Sequence, residues 1–380
     1  MGRELKALGF VLVLVLVGGC RPQTNRAAEQ ATEDAKPTLN TNLAFNNITL
    51  EEADDQGRPL WKVKAAEAIY TPDKRTARVT SPTGQLYQDG QPIYRIQART
   101  GEIQQGGDRV ILRGNVVATD TQSGAVLRAD QLEWQPKQDL LLLRGNLRGS
   151  HPKVKLVAKQ AKVFNRERRA EISGQVTALT ENPKLRLQTE QVIWQIKDEK
   201  LVSNQQVQVQ RLQDNKVTDR AVAEAAEVDL VKQIAHLKKN ARLTILQPPL
   251  LISGNSLVWD VPKQTLVADQ PVTVVHQQQQ VQITANRGRM ELKPQNAFFE
   301  GNVNAVASRN RSKLTSNTLT WKMGSEEVTA EGDVVYVQPD PPATLRGAKA
   351  VGKLQNRTVV VSGGRVVTEI IPQQELIPGG

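Results

Sequence analysis

The chain has 380 residues, of which 39% are hydrophobic, 23% charged and 4% aromatic, and a formal net charge of +11. Such a length can bury a large core and by itself predicts two or three domains, and the charge admits an anionic partner such as a phosphorylated lipid, a membrane surface or nucleic acid. Nucleic acid is set aside, because the basic residues are spread through strands and turns and the aromatics that stack bases are scarce.

Residues 1–20 read as an export signal, with Arg3 and Lys6 ahead of an apolar run that is shorter than the ~20 residues a bilayer span needs. The only cysteine, Cys20, follows Val17-Gly18-Gly19. This resembles a bacterial lipobox, in which the thiol takes a diacylglyceryl group and becomes the mature N-terminus; an ordinary secretory signal with a chance cysteine is the alternative. Acyl chains, at about 0.8 kcal/mol per buried methylene, hold a protein on a membrane once two or more are attached. A lone cysteine allows no intramolecular disulfide, so stability rests on sheet and core. Residues 21–40 are polar and aperiodic and predict a disordered tether with roughly 25 Å of reach.

From Leu43 the pattern becomes short alternating runs. Phe45 to Leu50, a turn at Asp54 to Gly57, then Leu60 to Ala65 predict strand, turn, strand. Beyond this a unit recurs, marked by Gly-Asn-Val or a near relative at Gly114, Gly145, Gly174, Gly301, Gly332 and Gly363, with weaker copies near Asn204, Asn240 and Asp269. A spacing of about 30 residues indicates a repeat architecture. Trp134, Trp194, Trp259 and Trp321 each lie ten or eleven residues before a mark, on alternate units. Phe164, Leu230 and Leu292 are expected at the equivalent place in the units between, and the indoles are expected to pack the core. A helical turn is conceivable only at Ala221 to Ala226.

Each unit holds two turn signals, for example Gln135 to Gln138 and His151-Pro152, which leaves two strands of about ten residues. Nine units predict on the order of eighteen strands, antiparallel because such turns are too short for crossovers. In Ala170 to Ala178 every second residue is apolar or small and Gly174 shares that phase, so the repeated glycines are expected on the inner face. The preceding strands slip phase, between Leu127 and Leu132, Leu187 and Val192, Ile252 and Leu257, and Leu314 and Leu319; a one-residue bulge there would return both halves to the inner face. The fold class is therefore all-β, two facing curved sheets around a continuous inner surface. With about nine strands per sheet at about 4.8 Å, a groove some 40 Å long results.

No catalytic chemistry is visible. His151, His236 and His276 lack ligand-spaced neighbours, so no metal site is predicted, and His276 to Gln280 reads as a hairpin tip. No nucleophile elbow, phosphate loop or paired carboxylates stand out. No enzyme activity and no cofactor are expected.

The segments Phe45 to Leu50 with Gly57 to Ala65, Ile96 to Gly101 with Ile111 to Val116, and the repeated Leu-x-Gly-Asn-Val with its upstream Ala-Asp-x-Leu-x-Trp resemble the lipopolysaccharide-export bridge family. Its anchored component, LptC, is similar over residues 41–150, and OstA-like or LptA-like β-jellyroll units are similar over residues 151–371, with 372–380 a tail. The resemblance implies a periplasmic protein whose groove shelters the acyl chains of lipopolysaccharide. It also implies strand-to-strand pairing that joins an inner-membrane ABC transporter to an LptA-like bridge or the outer-membrane translocon. The usual anchored member is shorter and has a transmembrane helix, so the lipobox and the extra units depart from it. Membrane attachment through Cys20 is expected in the inner membrane ahead of the outer.

Groove candidates are Leu127, Leu132, Trp134, Leu141, Leu143, Leu187, Val192, Trp194, Ile252 and Leu257; edge-strand candidates are Ile48, Leu50, Val359 and Val361. The competing class is a structural or adhesive β-repeat lipoprotein with a packed interior and no lipid cargo. An outer-membrane barrel would need aromatic girdles, which this composition does not supply.

Overall fold

The computed structural model describes residues 43–370 apart from 105–107, 354–357 and 364–366, with the backbone alone at 367–370. The export signal, Cys20, the tether and the tail lie outside the described residues. The strands are β1 (Ala44–Ala53), β2 (Pro59–Tyr70), β3 (Thr76–Thr80), β4 (Thr83–Gln88), β5 (Gln91–Gln97), β6 (Thr100–Gln104), β7 (Arg109–Asp120), β8 (Val126–Gln135), β9 (Leu140–Ser150) and β10 (Lys155–Phe164). They continue as β11 (Arg169–Leu179), β12 (Leu185–Gln195), β13 (Lys200–Ser203), β14 (Val207–Gln213), β15 (Lys216–Ala223), β16 (Ala225–Asp229), β17 (Ile234–Ile245), β18 (Leu250–Asp260), β19 (Thr265–Ala268) and β20 (Val272–His276). The last are β21 (Val281–Ala285), β22 (Arg287–Glu291), β23 (Asn296–Ala307), β24 (Ser312–Lys322), β25 (Glu327–Pro339), β26 (Pro342–Lys353), β27 (Thr358–Ser362) and β28 (Val367–Ile370). Among the described residues seven chain passes are split in two, as β13 and β14 are, so the 28 strands make 21 passes, against the eighteen or so expected.

All pairings are antiparallel, and each pass pairs with the one before and the one after, so the whole is one meander. The ladder runs through residue 150 without a break, because β9 and β10 pair from Ser150↔Lys155 to Leu140↔Phe164. Turns are held by aspartates that accept backbone N–H bonds, among them Asp120 from Gln122 and Ser123, and Asp229 from Val231 and Lys232. Among the described residues the one helical element is a 3-10 turn at Pro136–Gln138. The segment Ala221 to Ala226 is not helical: it is the end of β15, a corner at Glu224, and the start of β16.

Every pass bends in its middle, and this is what the repeated glycine is for. Gly114 and Asn115 have φ of 74° and 50°, and Gly145 and Asn146 have 76° and 46°, two left-handed residues in succession. In the register, Arg113 faces Gln131 and Val116 faces Ala129, so Gly114-Asn115 stands opposite Asp130 alone. The extra residue of the bulge is thus on the glycine strand, not on the preceding strand as the phase pattern predicts. The phase slip is nonetheless real: Ala129 and Leu132 are both buried while Asp130 is exposed. The glycines do not face inward either. A Cβ on Gly145 would collide with the carboxylate of exposed Asp130, and one on Gly332 would lie 2.6 Å from Asn317 Nδ2, also exposed. The missing side chain makes room for a neighbouring corner residue on the outside.

These corners line up and fold the meander lengthwise into two half-sheets. The proof is a set of contacts between turns at opposite ends of the passes, which in a flat sheet would be about 35 Å apart: Tyr94 Oη donates to Asn165 Oδ1 at 2.8 Å. Each pass contributes to both half-sheets, rather than strands being shared out between two sheets, so the ladder is about 95 Å long by strand spacing. The first half-sheet ends in the turns at residues 136–139, 165–168 and 196–199, the second in those at 121–125, 151–154 and 180–184. Inward residues of both form one core from Trp61 to Met323.

Four tryptophans share one inward row of the first half-sheet. It reads Trp134, Leu141, Val163, Ala170, Trp194, and repeats through Leu201, Val228, Ala235 to Trp259 and through Leu266, Met290, Ala297 to Trp321. An indole recurs on every fourth strand, about 19 Å apart, with an alanine before the later three that leaves it space. Trp134, Trp259 and Trp321 are fully buried and Trp194 partly so. The equivalents in between are Val163, Val228 and Met290. Phe164, Leu230 and Leu292 lie one or two positions further on, at the turns.

Candidate functional site

The space between the half-sheets is mostly filled. Of the residues expected to line a groove, Leu132, Trp134, Leu141, Leu143 and Leu257 have no exposed surface, and Leu187, Val192 and Ile252 have at most 6%. An uninterrupted open groove is therefore not present among the described residues, because leucines and the tryptophan row interdigitate across the fold. What remains open is local.

A cavity of ≈ 80 Å³ lies between β5 and β13, lined by Leu127, Leu143, Val192 and Trp194 from the expected set, with Tyr94 and His151. A larger one of ≈ 380 Å³ lies toward the C-terminal end of the ladder. There the main core stops at Met323, and Ala330, Val334 and Ala350 form a separate small cluster. Val281, Ile283, Leu314 and Tyr336 line this cavity from the second half-sheet, and Leu319, Trp321, Val328 and Val359 from the first; Gln279, Arg309, Glu326 and Lys353 also line it. Leu132, Trp134, Leu141, Leu187 and Leu257 line neither cavity, and Ile252 borders only a crevice of ≈ 10 Å³.

The free ends of the half-sheets are clasped over the earlier passes. Besides Tyr94 and Asn165, Arg166 pairs with Asp89 at 3.2 Å, Arg168 Nη1 donates to Gln122 Oε1 at 2.8 Å, Lys153 pairs with Glu199, and Gln233 Nε2 donates to the Asn182 carbonyl at 2.7 Å. Burial pushes the Tyr94 phenol well up, so it remains a donor.

The tryptophan lining each cavity is met by a histidine across the fold: His151, which also lines the smaller cavity, lies 5.2 Å from Trp194, and His276, which does not line the larger one, lies 5.4 Å from Trp321, ring centre to ring centre. Burial pulls both imidazoles below their usual range. The Nδ1 of His151 accepts the Lys153 N–H and that of His276 the Gln279 N–H, each at 3.2 Å, which leaves the proton on Nε2 in the neutral ring. These histidines, with Tyr94 and Asn165, are absent from the sequence-based candidates. The signal was there: the histidine precedes its tryptophan by 43 residues in one case and 45 in the other.

The outermost passes have an open side. Among the described residues β1 pairs only with β2, and β27 only with β26. Ile48 and Leu50 on β1, and Val359 and Val361 on β27, are half-buried, while Phe45 and Val360 are exposed at 43% and 64%. No metal-binding cluster and no helix long and apolar enough to cross a membrane occur among the described residues.

The family model for LptC-related lipopolysaccharide-assembly proteins matches residues 10–142 and 251–368, and that for LptA and the LptD N-terminal domain, lipopolysaccharide transport proteins, matches residues 95–265. No curated protein matches the chain. A crystal structure of LptH, the LptA-homologous periplasmic component of the lipopolysaccharide transport device of Pseudomonas aeruginosa, is 17% identical, with 40% of this chain and 95% of that one covered and a TM-score of 0.21. The first family model covers more than half of the sequence, on both sides of the stretch matched by the second: the chain belongs to the LptC-related lipopolysaccharide-assembly family, and its role lies in the lipopolysaccharide transport bridge.

Proposed function

We propose that the chain is a membrane-anchored periplasmic component that shelters lipopolysaccharide acyl chains between its half-sheets and passes them along the bridge. The observation that carries this reading is the cavity of ≈ 380 Å³ at the break in the core, whose walls come from both half-sheets. Its size is that of a small-molecule site, half of its lining residues are aliphatic, and charged and amide side chains line it as well, which suits an amphipathic cargo. Acylation of Cys20 supplies the anchor, in the inner membrane. The open sides of β1 and β27 suit strand addition by an inner-membrane ABC transporter and by an LptA-like bridge or the outer-membrane translocon.

The test is purification of the full chain without detergent, followed by mass spectrometry of bound lipid. Lipopolysaccharide should accompany the wild type and be lost from Leu314→Trp, which fills the cavity, while the melting temperature of the variant stays high. The full packing of Leu132, Trp134, Leu141 and Leu257 favours the second reading, a structural β-repeat protein. A wild-type protein free of lipopolysaccharide would decide for it.

A further inference from the structure

The charged residues of the described strands are distributed unequally over the two outer faces. On the first half-sheet acids and bases alternate and pair, as Glu133 does with Arg109 and Arg144, Lys322 with Glu327, and Lys349 with Glu331. The second half-sheet has two outward cross-strand rows, one starting at Lys64 and the other at Lys62, and neither contains an aspartate or glutamate from β2 to β26. Lys62 and Lys155 are paired, with Glu51 and Glu181. Lys64, Arg95, Arg128 and Arg148 are exposed and form no ion pair among the described residues.

Arg128 and Arg148 stand directly opposite each other on β8 and β9. Like charges so placed destabilise a sheet. An anion held by both guanidinium groups would reverse the sign of that contact, through charge-assisted bidentate bonds. Val117 and Val157 flank the pair in the same row, and Val157 is 49% exposed. The rows contain no aromatic side chain, and this face has no stacking platform for bases.

We propose that this face, centred on Arg128 and Arg148, docks on the phosphates of an anionic phospholipid bilayer. An extended sheet surface with spaced cations matches a planar array of phosphates. Exposed valine beside arginine fits the boundary between headgroups and acyl chains. The paired charges of the first half-sheet give no such attraction, so the protein would lie with the second half-sheet toward the membrane. The inference is independent of what the interior carries.

The test uses the full chain with Cys20→Ser, so that no attached lipid contributes, sedimented with vesicles of phosphatidylcholine alone or mixed with phosphatidylglycerol. Binding is expected only to the mixed vesicles at low salt, with release as salt is raised. Arg128→Gln/Arg148→Gln should bind about 30-fold more weakly, with an unchanged or higher melting temperature, while Arg289→Gln on the first half-sheet binds as the parent does. Equal binding to both vesicle types, no binding to the mixed vesicles, or full binding by the double variant overturns the proposal, as does capture of an acidic polypeptide without vesicle binding.

Discussion

Tyr94 and Asn165 meet at 2.8 Å although 71 residues separate them in the chain. One lies on the second half-sheet and the other in a turn of the first, so this hydrogen bond closes the fold over the smaller cavity. Asn165 also donates through Nδ2 to the Asp139 carbonyl at 3.1 Å, which fixes the amide for its role as acceptor. Tyr94→Phe should cost about 1–3 kcal/mol, because the buried Asn165 oxygen loses its partner. Thermal unfolding measures the loss, and faster amide exchange confined to β5 and the 165–168 turn would locate it; exchange unchanged there would mean that the clasp does not hold the mouth.

The corners make a second prediction. Gly145→Ala places a Cβ against the Asp130 carboxylate and in a left-handed conformation, at a cost of about 1–2 kcal/mol. Asp130→Ala, which removes the obstructing group, should recover part of that loss in the double variant. If calorimetry finds the two substitutions simply additive, the contact is not the cause.

The tryptophan row ranks its own members. Trp259→Ala empties a fully packed site and should cost about 3–5 kcal/mol. Trp194→Ala, at a partly exposed residue beside an existing cavity, should cost clearly less. Denaturant midpoints of the two variants give the comparison, and equal losses would contradict the packing described.

Acid should weaken the fold through His151 and His276. Unfolded, each imidazole takes up a proton near its ordinary value of 6.5; folded, desolvation lowers that value. Between the two values the unfolded chain holds more protons, so stability rises with pH through this window and is lost as pH falls below about 6.5. The drop in melting temperature from about pH 7.5 to about pH 5.5 should be smaller in His151→Gln/His276→Gln than in the wild type. An identical drop would remove both histidines from the effect.

Strand addition is testable at the open sides. Leu50→Pro and Val361→Pro should each abolish site-specific cross-linking to the neighbouring component at that end, because proline removes a ladder donor. The central ladder should melt as before. Cross-linking that persists in both variants would argue against pairing through β1 and β27.

How far these features were legible depends on their range. The sequence by itself determined the class: period-two alternation, paired turn signals and a mark near every thirtieth residue require an antiparallel repeat sheet, and the family motifs are contiguous segments. It also located the bend, since the glycine marks and the phase slips fall at the corners. Which strand carries the extra residue, and that Gly145 faces exposed Asp130 outside the core, depend on the register between neighbours, which alternation in one strand does not fix. Tertiary structure alone decided that every pass serves both half-sheets and that the interior is filled along most of the ladder, opening mainly near Trp321. The same holds for the clasp of Tyr94 with Asn165 and the pairing of His276 with Trp321. These arise when the meander folds across itself, bringing together residues that neither sequence spacing nor strand pairing connects.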